Sequence, residues 1–143
     1  MKAHLTRIVS FCAAHRYYRP EWSEERNREE FGNCANDPGH GHNYECSVTV
    51  AGKMQENTSM VMRLSDLDAL LDEKVVKRFD HNFINDAAEE FGPGKKIPTA
   101  EALAVFVWKE LQPALPDGVS LSRVRIRENT TLYVDFFGEF END

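Results

Sequence analysis

The sequence predicts an α+β fold, in which an antiparallel β-sheet carries two helices on one face. Segments that alternate apolar and polar side chains occur near both ends of the chain, and such alternation is typical of half-buried strands. Between them lie two segments whose apolar residues have helical spacing. Strands grouped in this way, apart from the helices, favour an antiparallel sheet.

The first strand is predicted over residues 5–14, where alternate side chains form an apolar face that His15 continues. A long polar connection follows this strand. In that connection, Ser23 is expected to cap a short helix that runs to Phe31, and Gly32 is expected to end the helix.

The middle of the chain is predicted to contain two strands and a helix. Residues 42–51 alternate throughout and form the second strand, and residues 59–64 are predicted as a third. Residues 65–79 then have apolar side chains at helical spacing, with Ser65 as the N-cap.

A second long helix is predicted over residues 99–113, with Thr99 as its N-cap. Pro113 and the PDG sequence that follows are expected to stop this helix. The chain closes with two predicted strands, at residues 121–128 and 131–140.

The size and composition of the chain limit its possible functions. Its 143 residues, of which 41% are apolar, predict one compact domain over residues 1–143. The net charge of -7 argues against nucleic acid or an anionic membrane as a partner. Charged residues interrupt the N-terminal apolar runs, and three cysteines without disulfide spacing fit a reducing compartment, so we expect a cytoplasmic protein.

The sequence HGH at residues 40–42 is the first candidate for functional chemistry. His40 and His42 lie two residues apart at the start of a strand, so both side chains point to one face. His15, at the end of the first strand, would join them if the two strands pair antiparallel. Three imidazoles with one open position are typical of catalytic zinc, although surface or capping histidines remain an alternative interpretation of the spacing alone.

Cys34 lies six residues before His40 in a turn-forming loop. A cation at the histidines would favour the thiolate of Cys34, which is a better base or nucleophile than the thiol. Zinc ligation by Cys34 is the alternative. Cys12 and Cys46 fall within strands, and we interpret both as small buried residues.

Two further positions carry ionisable groups of interest. Asp80 and His81 are adjacent in a loop, where the carboxylate can orient the imidazole for proton transfer, although most such pairs are simply solvated. Glu128 is in phase with the apolar face of its strand. A carboxylate there needs a partner with paired N–H donors, such as the guanidine-like edge of a heterocycle, or an ion pair with a flanking arginine.

These residues occur together in a recognisable set of motifs. The chain contains F-x-A-x-H at residues 11–15, C-x5-H-G-H-N-Y at residues 34–44, D-H at residues 80–81, P-T-x-E at residues 98–101 and a late glutamate at residue 128. In this combination the sequence resembles the 6-pyruvoyltetrahydropterin synthase / 6-carboxytetrahydropterin synthase family over nearly its whole length.

The resemblance implies a T-fold, whose subunits assemble into a barrel-like homohexamer, a dimer of trimers, with active sites between subunits. It also implies roles for individual residues. The zinc ligands would be His15, His40 and His42, with Cys34 as the catalytic base. Asp80 and His81 would complete a proton relay across a subunit boundary, Glu128 would anchor the pterin ring, and Thr99 and Glu101 would line the pterin pocket. For the last two, an N-cap and a first-turn acid are sufficient explanations.

The implied reaction is a phosphorus-oxygen lyase reaction on 7,8-dihydroneopterin triphosphate. One branch of the family forms 6-pyruvoyltetrahydropterin for tetrahydrobiopterin, and the other forms 6-carboxytetrahydropterin for queuosine-type deazaguanines, with release of acetaldehyde and triphosphate. The five residues between Cys34 and His40 resemble the pyruvoyl-forming branch. A zinc-stabilised pterin-binding protein without activity and a different T-fold enzyme, an aldolase or epimerase, are the competing hypotheses.

One position and one short stretch depart from the family pattern, and one set of basic residues suggests a further hypothesis. Arg63 stands where relatives usually have Asp or Asn, and the stretch after the late glutamate, residues 129–132, differs from the usual T-x-N-N. The basic residues that could meet a triphosphate are Arg16, Arg19, Lys95 and Lys96.

Overall fold

The computed structural model describes residues 1–141 and has the predicted α+β architecture. The strands are β1 (Lys2–His15), β2 (His40–Lys53), β3 (Asn82–Phe83), β4 (Val119–Asn129) and β5 (Leu132–Phe136). The helices are α1 (Glu24–Phe31), α2 (Leu64–Leu71), α3 (Lys77–Phe79), α4 (Ile84–Ala87) and α5 (Ala100–Leu111), and a π-helical segment, Asp72–Val76, joins α2 to α3. Within residues 1–141, no helix is long and apolar enough to cross a membrane.

The five strands of residues 1–141 belong to one sheet, in the order β3-β1-β2-β4-β5. The pairs β1–β2, β2–β4 and β4–β5 are antiparallel, and only the short β3 lies parallel to its neighbour β1. The β1–β2 ladder runs without interruption from Lys2 opposite Lys53 to His15 opposite His40. This long register fixes where the end of β1 meets the start of β2.

One face of the sheet carries the hydrophobic core. The α2–α3 segment and α5 cover this face, as the sequence predicted for two helices on one side. Buried residues of the sheet and of the two helical segments form a single cluster, which includes Phe11, Val48, Val50, Val124, Ile126, Leu67, Leu71, Phe79, Leu103, Val107 and Leu111. On the opposite face, side chains such as Ile8 and Cys12 are exposed. Cys12 was predicted to be buried, and that prediction is wrong because its side chain points away from the helices.

The predicted third strand at residues 59–64 is also wrong. Val61 and Met62 are both buried, but residues 59–64 form no strand. Ser59 has a φ of 59°, outside the extended region. The helix that follows begins at Leu64, so that Ser65 lies inside its first turn instead of capping it.

The other predicted strands and helices begin and end within three residues of the observed ones, except at the end of the last strand. Ser23 and Thr99 cap α1 and α5, accepting backbone N–H bonds of 3.1 Å in each case. Helix α5 ends at Leu111, two residues before Pro113, because proline has no N–H to continue the helical pattern. The last strand ends at Phe136, and Phe140 turns back until the centroids of these two rings are 5.1 Å apart.

Candidate metal and active site

Three histidines meet where β1 ends and β2 begins. His15 is the last residue of β1 and pairs with His40, the first residue of β2. Because side chains alternate along a strand, His42 points to the same face as His40. One potential ligand atom from each ring lies within 4.8 Å of the other two, and the Nε2 atoms of His15 and His40 are 3.2 Å apart. The predicted histidine cluster is therefore present.

Gly39 allows this close approach of the two strands. Its φ is 132°, and a Cβ atom at this position would lie 2.6 Å from the carbonyl oxygen of His15. A Cβ atom on Gly41 would make only an ordinary contact, 3.4 Å from the carbonyl oxygen of Ala13. Of the two glycines that bracket His40, Gly39 is thus the one that the packing requires.

The chemistry of the three rings fits a metal ion. Nitrogen ligands must be unprotonated, and burial, with smaller contributions from His40 and His42, lowers the pKa of His15 to about 3. Burial also lowers the pKa of His42, against an opposing effect of Glu128. The Nε2 atom of His42 is buried and makes no hydrogen bond of suitable geometry among residues 1–141, although a carboxylate oxygen of Glu128 lies 3.1 Å away. These three histidines could hold a metal ion.

Tyr44 contacts the histidine cluster from the core side. Tyr44 is part of a sequence motif, but sequence reasoning gave it no role in the site. Its hydroxyl oxygen lies 2.6 Å from Nδ1 of His15. The tyrosine is almost fully buried, and its ring stacks on Phe11 with centroids 4.9 Å apart. The signal was present in the sequence, since Tyr44 shares the face of β2 with His42.

Cys34 lies beside the histidines, as predicted. It sits in a short 3-10 helix, Gly32–Ala35, and its Sγ atom is 3.9 Å from Nε2 of His40. The thiol is half-buried. Burial, followed by the nearby carboxylate of Glu128, raises the pKa of Cys34 above its ordinary value. The protein's own groups therefore favour the thiol, whereas a cation at the histidines would act in the opposite direction.

Glu128 completes the polar part of this region. Its side chain is buried, and its Oε1 atom lies 3.1 Å from Nε2 of His42 and 3.5 Å from Nε2 of His15. The alternative of an ion pair with a flanking arginine is wrong for Arg127, which lies 3.8 Å from Glu45. The prediction that Glu128 points to the core side is confirmed, because Glu128 is itself buried, as Val124 and Ile126 are.

Tyr17 is a second residue of this region that sequence reasoning missed. Its backbone N–H donates a 2.8 Å hydrogen bond to the carbonyl of Cys34, and its ring centroid lies 4.6 Å from that of His15. Burial and then Glu128, Cys34 and Glu101 raise the pKa of Tyr17. Tyr17 thus connects the Cys34 loop to the histidines.

Asp80 and His81 lie between α3 and β3, beside Cys12 of β1. Asp80 accepts a 2.9 Å hydrogen bond from the backbone N–H of Cys12, and the His81 N–H donates to the Cys12 carbonyl. The His81 side chain is 82% exposed, and its φ is 59°. Within residues 1–141, no hydrogen bond or ion pair joins either residue to Cys34 or to the histidines.

Comparison with known proteins agrees with this arrangement. A family model described as 6-pyruvoyl tetrahydropterin synthase matches residues 4–139. The chain belongs to the 6-pyruvoyl tetrahydropterin synthase family. The resemblance noted in the sequence motifs is thereby confirmed.

Curated relatives of this family are similar over most of their length. The chain is 38% identical to 6-pyruvoyl tetrahydrobiopterin synthase of Homo sapiens over 138 residues, which cover 96% of this chain and 93% of that one. It is also 38% identical to the Dictyostelium discoideum protein of the same name, with 94% and 96% covered. A putative 6-carboxy-5,6,7,8-tetrahydropterin synthase of Archaeoglobus fulgidus is 38% identical over 90 residues, or 63% of this chain and 68% of that one.

Solved structures from the synthase family share the fold. The Caenorhabditis elegans 6-pyruvoyl tetrahydropterin synthase superposes with a TM-score of 0.89 at 29% identity, with 97% of each chain covered. The Plasmodium vivax synthase superposes with a TM-score of 0.64 at 19% identity, with 95% of this chain and 97% of that one covered. The mixed α+β fold with a five-stranded sheet is therefore shared with these synthases.

The basic residues that were predicted to meet a triphosphate are mostly engaged with other groups. Lys95 and Lys96 form ion pairs of 3.0 Å with Glu89 and Glu90, and Arg19 donates a 2.7 Å hydrogen bond to the Lys95 carbonyl. The arginines Arg16 and Arg19 line a cavity of about 620 Å³ next to the Cys34 loop.

Proposed function

We propose that the protein is a zinc-dependent 6-pyruvoyltetrahydropterin synthase, which converts 7,8-dihydroneopterin triphosphate to 6-pyruvoyltetrahydropterin with elimination of triphosphate. The observation that supports it most strongly is the juxtaposition of a three-histidine cluster with the Cys34 thiol and the buried Glu128 carboxylate. A site that only binds a pterin has no need of a thiol in this position.

His15, His40 and His42 would hold the zinc ion. Three neutral imidazoles are a common ligand set of catalytic zinc, and the shifted pKa values of His15 and His42 keep these two rings uncharged at neutral pH. When bound, the ion supplies positive charge that stabilises negative charge developing on a substrate oxygen.

Glu128 would bind the pterin ring. A carboxylate can accept two parallel N–H bonds from the amino-pyrimidine edge of a pterin. Since Glu128 is buried, such bonds would be little weakened by water. Thr99 and Glu101 would line the same pocket, and the effect of Glu101 on the pKa of Tyr17 supports its placement near the site.

Cys34 would act as the base. The proton moves from a carbon of the substrate side chain to Sγ, and the electron pair left behind leads to expulsion of triphosphate. Two hydrogens pass from the side chain to the ring, so the reaction needs no external oxidant or reductant. The half-buried position of Cys34 beside the histidines suits this role.

Asp80 and His81 would act from a neighbouring subunit. Within residues 1–141, no hydrogen bond or ion pair joins them to Cys34 or to the histidines, and the His81 ring is exposed. Both observations support a site that is completed on assembly. Exposed apolar side chains at and beyond the edge strand β5 offer surface for such contacts, namely Leu132, Phe137 and Phe140. We therefore propose a homohexamer built as a dimer of trimers. Light scattering, which measures the mass of the assembly, tests this proposal.

The second candidate function is a 6-carboxytetrahydropterin synthase acting on the same substrate. The similarity to the putative Archaeoglobus fulgidus enzyme favours it. The five residues between Cys34 and His40 and the longer matches to the tetrahydrobiopterin enzymes favour the pyruvoyl product.

Anaerobic incubation of the zinc-loaded protein with 7,8-dihydroneopterin triphosphate, with products identified by mass, tests the proposal. We expect 6-pyruvoyltetrahydropterin together with free triphosphate. A carboxy pterin with acetaldehyde would establish the second candidate instead. Bound zinc without turnover would contradict both and leave a pterin-binding protein.

A further inference from the structure

Tyr44 makes the one buried side-chain contact to the Nδ1 atom of His15 that we find within residues 1–141. The distance between its hydroxyl oxygen and Nδ1 is 2.6 Å. The other nitrogen of the same ring, Nε2, faces Nε2 of His40 at 3.2 Å. The two sides of the His15 ring therefore have different environments, one in the cluster and one in the core.

This geometry determines where the ring proton lies when His15 binds a metal ion. A neutral imidazole carries one proton, and the nitrogen bound to a metal carries none. The Nε2 atom faces the cluster, so the proton must lie on Nδ1. There it can be donated to the Tyr44 oxygen.

We propose that Tyr44 is a positioning residue of the metal site, whose hydroxyl oxygen accepts the Nδ1–H bond of His15 and so holds Nε2 unprotonated and directed at the ion. This inference rests on the proposed metal site. Tyr44 would touch neither the substrate nor the ion, because the His15 ring lies between the Tyr44 hydroxyl and the position of the ion.

The hydroxyl can have this effect because Tyr44 itself is rigidly held. Its exposed fraction is 1%, and its ring is fixed by stacking on Phe11 with an interplanar angle of 12°. A ring held in this way presents its oxygen at a fixed point. Groups that orient metal-ligating histidines in proteins typically change metal affinity by 10–100-fold when removed.

The loss of this hydrogen bond should destabilise the zinc-loaded protein more than the metal-free protein. An imidazole bound to a cation donates a charge-assisted hydrogen bond, which is roughly twice as strong as one between neutral groups. Without a metal ion, both His15 and Tyr44 are neutral and share only an ordinary bond. The effect of Tyr44 should therefore appear in metal affinity.

The test is Tyr44→Phe, which removes the hydroxyl and retains the ring that stacks on Phe11. Tyr133→Phe is the matched control, because Tyr133 is exposed on β5 and lies outside the histidine cluster. Zn²⁺ affinity is measured by competition with a chromophoric chelator, and the thermal midpoint of the metal-free protein is measured in parallel. We expect Tyr44→Phe to weaken Zn²⁺ binding by about 10–100-fold and Tyr133→Phe to leave it unchanged.

Unchanged Zn²⁺ affinity in Tyr44→Phe would overturn the inference while leaving the proposed metal site intact. A failure of the wild-type protein to bind Zn²⁺ would overturn both. Nitrogen-15 NMR of the zinc-loaded wild-type protein gives a second test that needs no variant. We expect Nδ1 of His15 to carry a proton, and finding it unprotonated would contradict the assignment.

Discussion

His15 and His40 face each other across the β1–β2 ladder, with their Nε2 atoms 3.2 Å apart. One is the last residue of its strand and the other is the first residue of the next. Their positions therefore follow from strand register, and His42 joins them by the two-residue periodicity of β2. A site that is formed by the sheet itself exists before a metal ion binds, so binding should stabilise the folded state directly.

Zinc should therefore raise the stability of the wild-type protein, and His42→Ala should abolish the increase. A ligand that binds only the folded state at 100 times its Kd adds about 2.7 kcal/mol. Urea unfolding with and without Zn²⁺ measures the effect. His4→Ala is the control, because His4 is exposed near the start of β1 and should leave the zinc effect intact. Equal stabilisation of His42→Ala and wild type would contradict the ligand assignment.

Gly39→Ala should lower the free energy of unfolding by more than Gly94→Ala. Both residues have positive φ values, 132° and 76°, and the left-handed region alone costs a non-glycine residue about 1–2 kcal/mol. An added Cβ at Gly39 would also lie 2.6 Å from the His15 carbonyl oxygen, whereas at Gly94 nothing in the described chain lies within 4 Å. Chemical denaturation measures the free energy of unfolding of both variants. Equal losses would show that β1 and β2 can move apart to admit the added Cβ atom.

Cys34→Ala should retain zinc and lose activity. A general base contributes typically about 10²–10⁴-fold to a rate, so turnover should fall by that factor while zinc stoichiometry stays the same. Cys12→Ala is the control, since its thiol is exposed on the opposite face of the sheet. Wild-type turnover in Cys34→Ala would show that another group removes the proton.

The thiol of Cys34 should titrate above its ordinary range in the metal-free protein, because burial and Glu128 raise its pKa. Glu128→Gln should lower this pKa, so that the thiolate forms at lower pH. The pH dependence of alkylation measures it in a Cys12→Ala background. Cys46 should not interfere, because it is fully buried and its pKa is raised to about 12. An unchanged profile in Glu128→Gln would contradict the electrostatic coupling.

Asp135→Asn should lower stability at neutral pH by roughly 0.5–1 kcal/mol, as expected for a well-aligned ion pair near the surface. Asp135 accepts bonds of 2.7 and 2.9 Å from Arg125, which lower the pKa of the carboxyl below its usual value. The stabilisation should be present at neutral pH and be lost as the pH falls through the lowered pKa. The unfolding free energies of the wild-type protein and of Asp135→Asn, measured against pH, should therefore converge in acid. A difference in unfolding free energy that stays constant with pH would show that the Arg125–Asp135 ion pair is not its cause.

The exposed Arg7–Asp68 pair serves as the comparison for that prediction. Its side chains are about twice as exposed as those of Arg125 and Asp135. Water screens such a pair more strongly, so Asp68→Asn should have the smaller effect at neutral pH.

The alternation and helical spacing of side chains were sufficient to predict the long strands, the longer helices and the histidine cluster. His15, His40 and His42 could be placed on one face because strand periodicity is exact and the connection between β1 and β2 permits antiparallel pairing. The same reasoning failed at residues 59–64, where adjacent Val61 and Met62 are buried by an irregular segment instead of a strand.

The periodicity of strands and helices could not predict the contacts between segments that are distant in sequence. Strand periodicity places Tyr44 on the same face as His42, but its bond to His15 and the packing of the Tyr17 ring on His15 depend on contacts between segments. The hydrogen bond of Asp80 with Cys12 likewise depends on how α3 returns to β1. Local spacing identifies the residues of a strand face, and the three-dimensional packing decides which other residues surround them.

The dependence of turnover on zinc tests the central claim most directly. Zn²⁺ is added in steps to metal-stripped protein, and the rate of triphosphate release from 7,8-dihydroneopterin triphosphate is followed anaerobically. We predict that the rate rises with zinc and reaches a plateau at one ion per chain, as expected for a single three-histidine site. A rate that is the same in metal-stripped and zinc-loaded protein would contradict the claim that His15, His40 and His42 hold the catalytic metal.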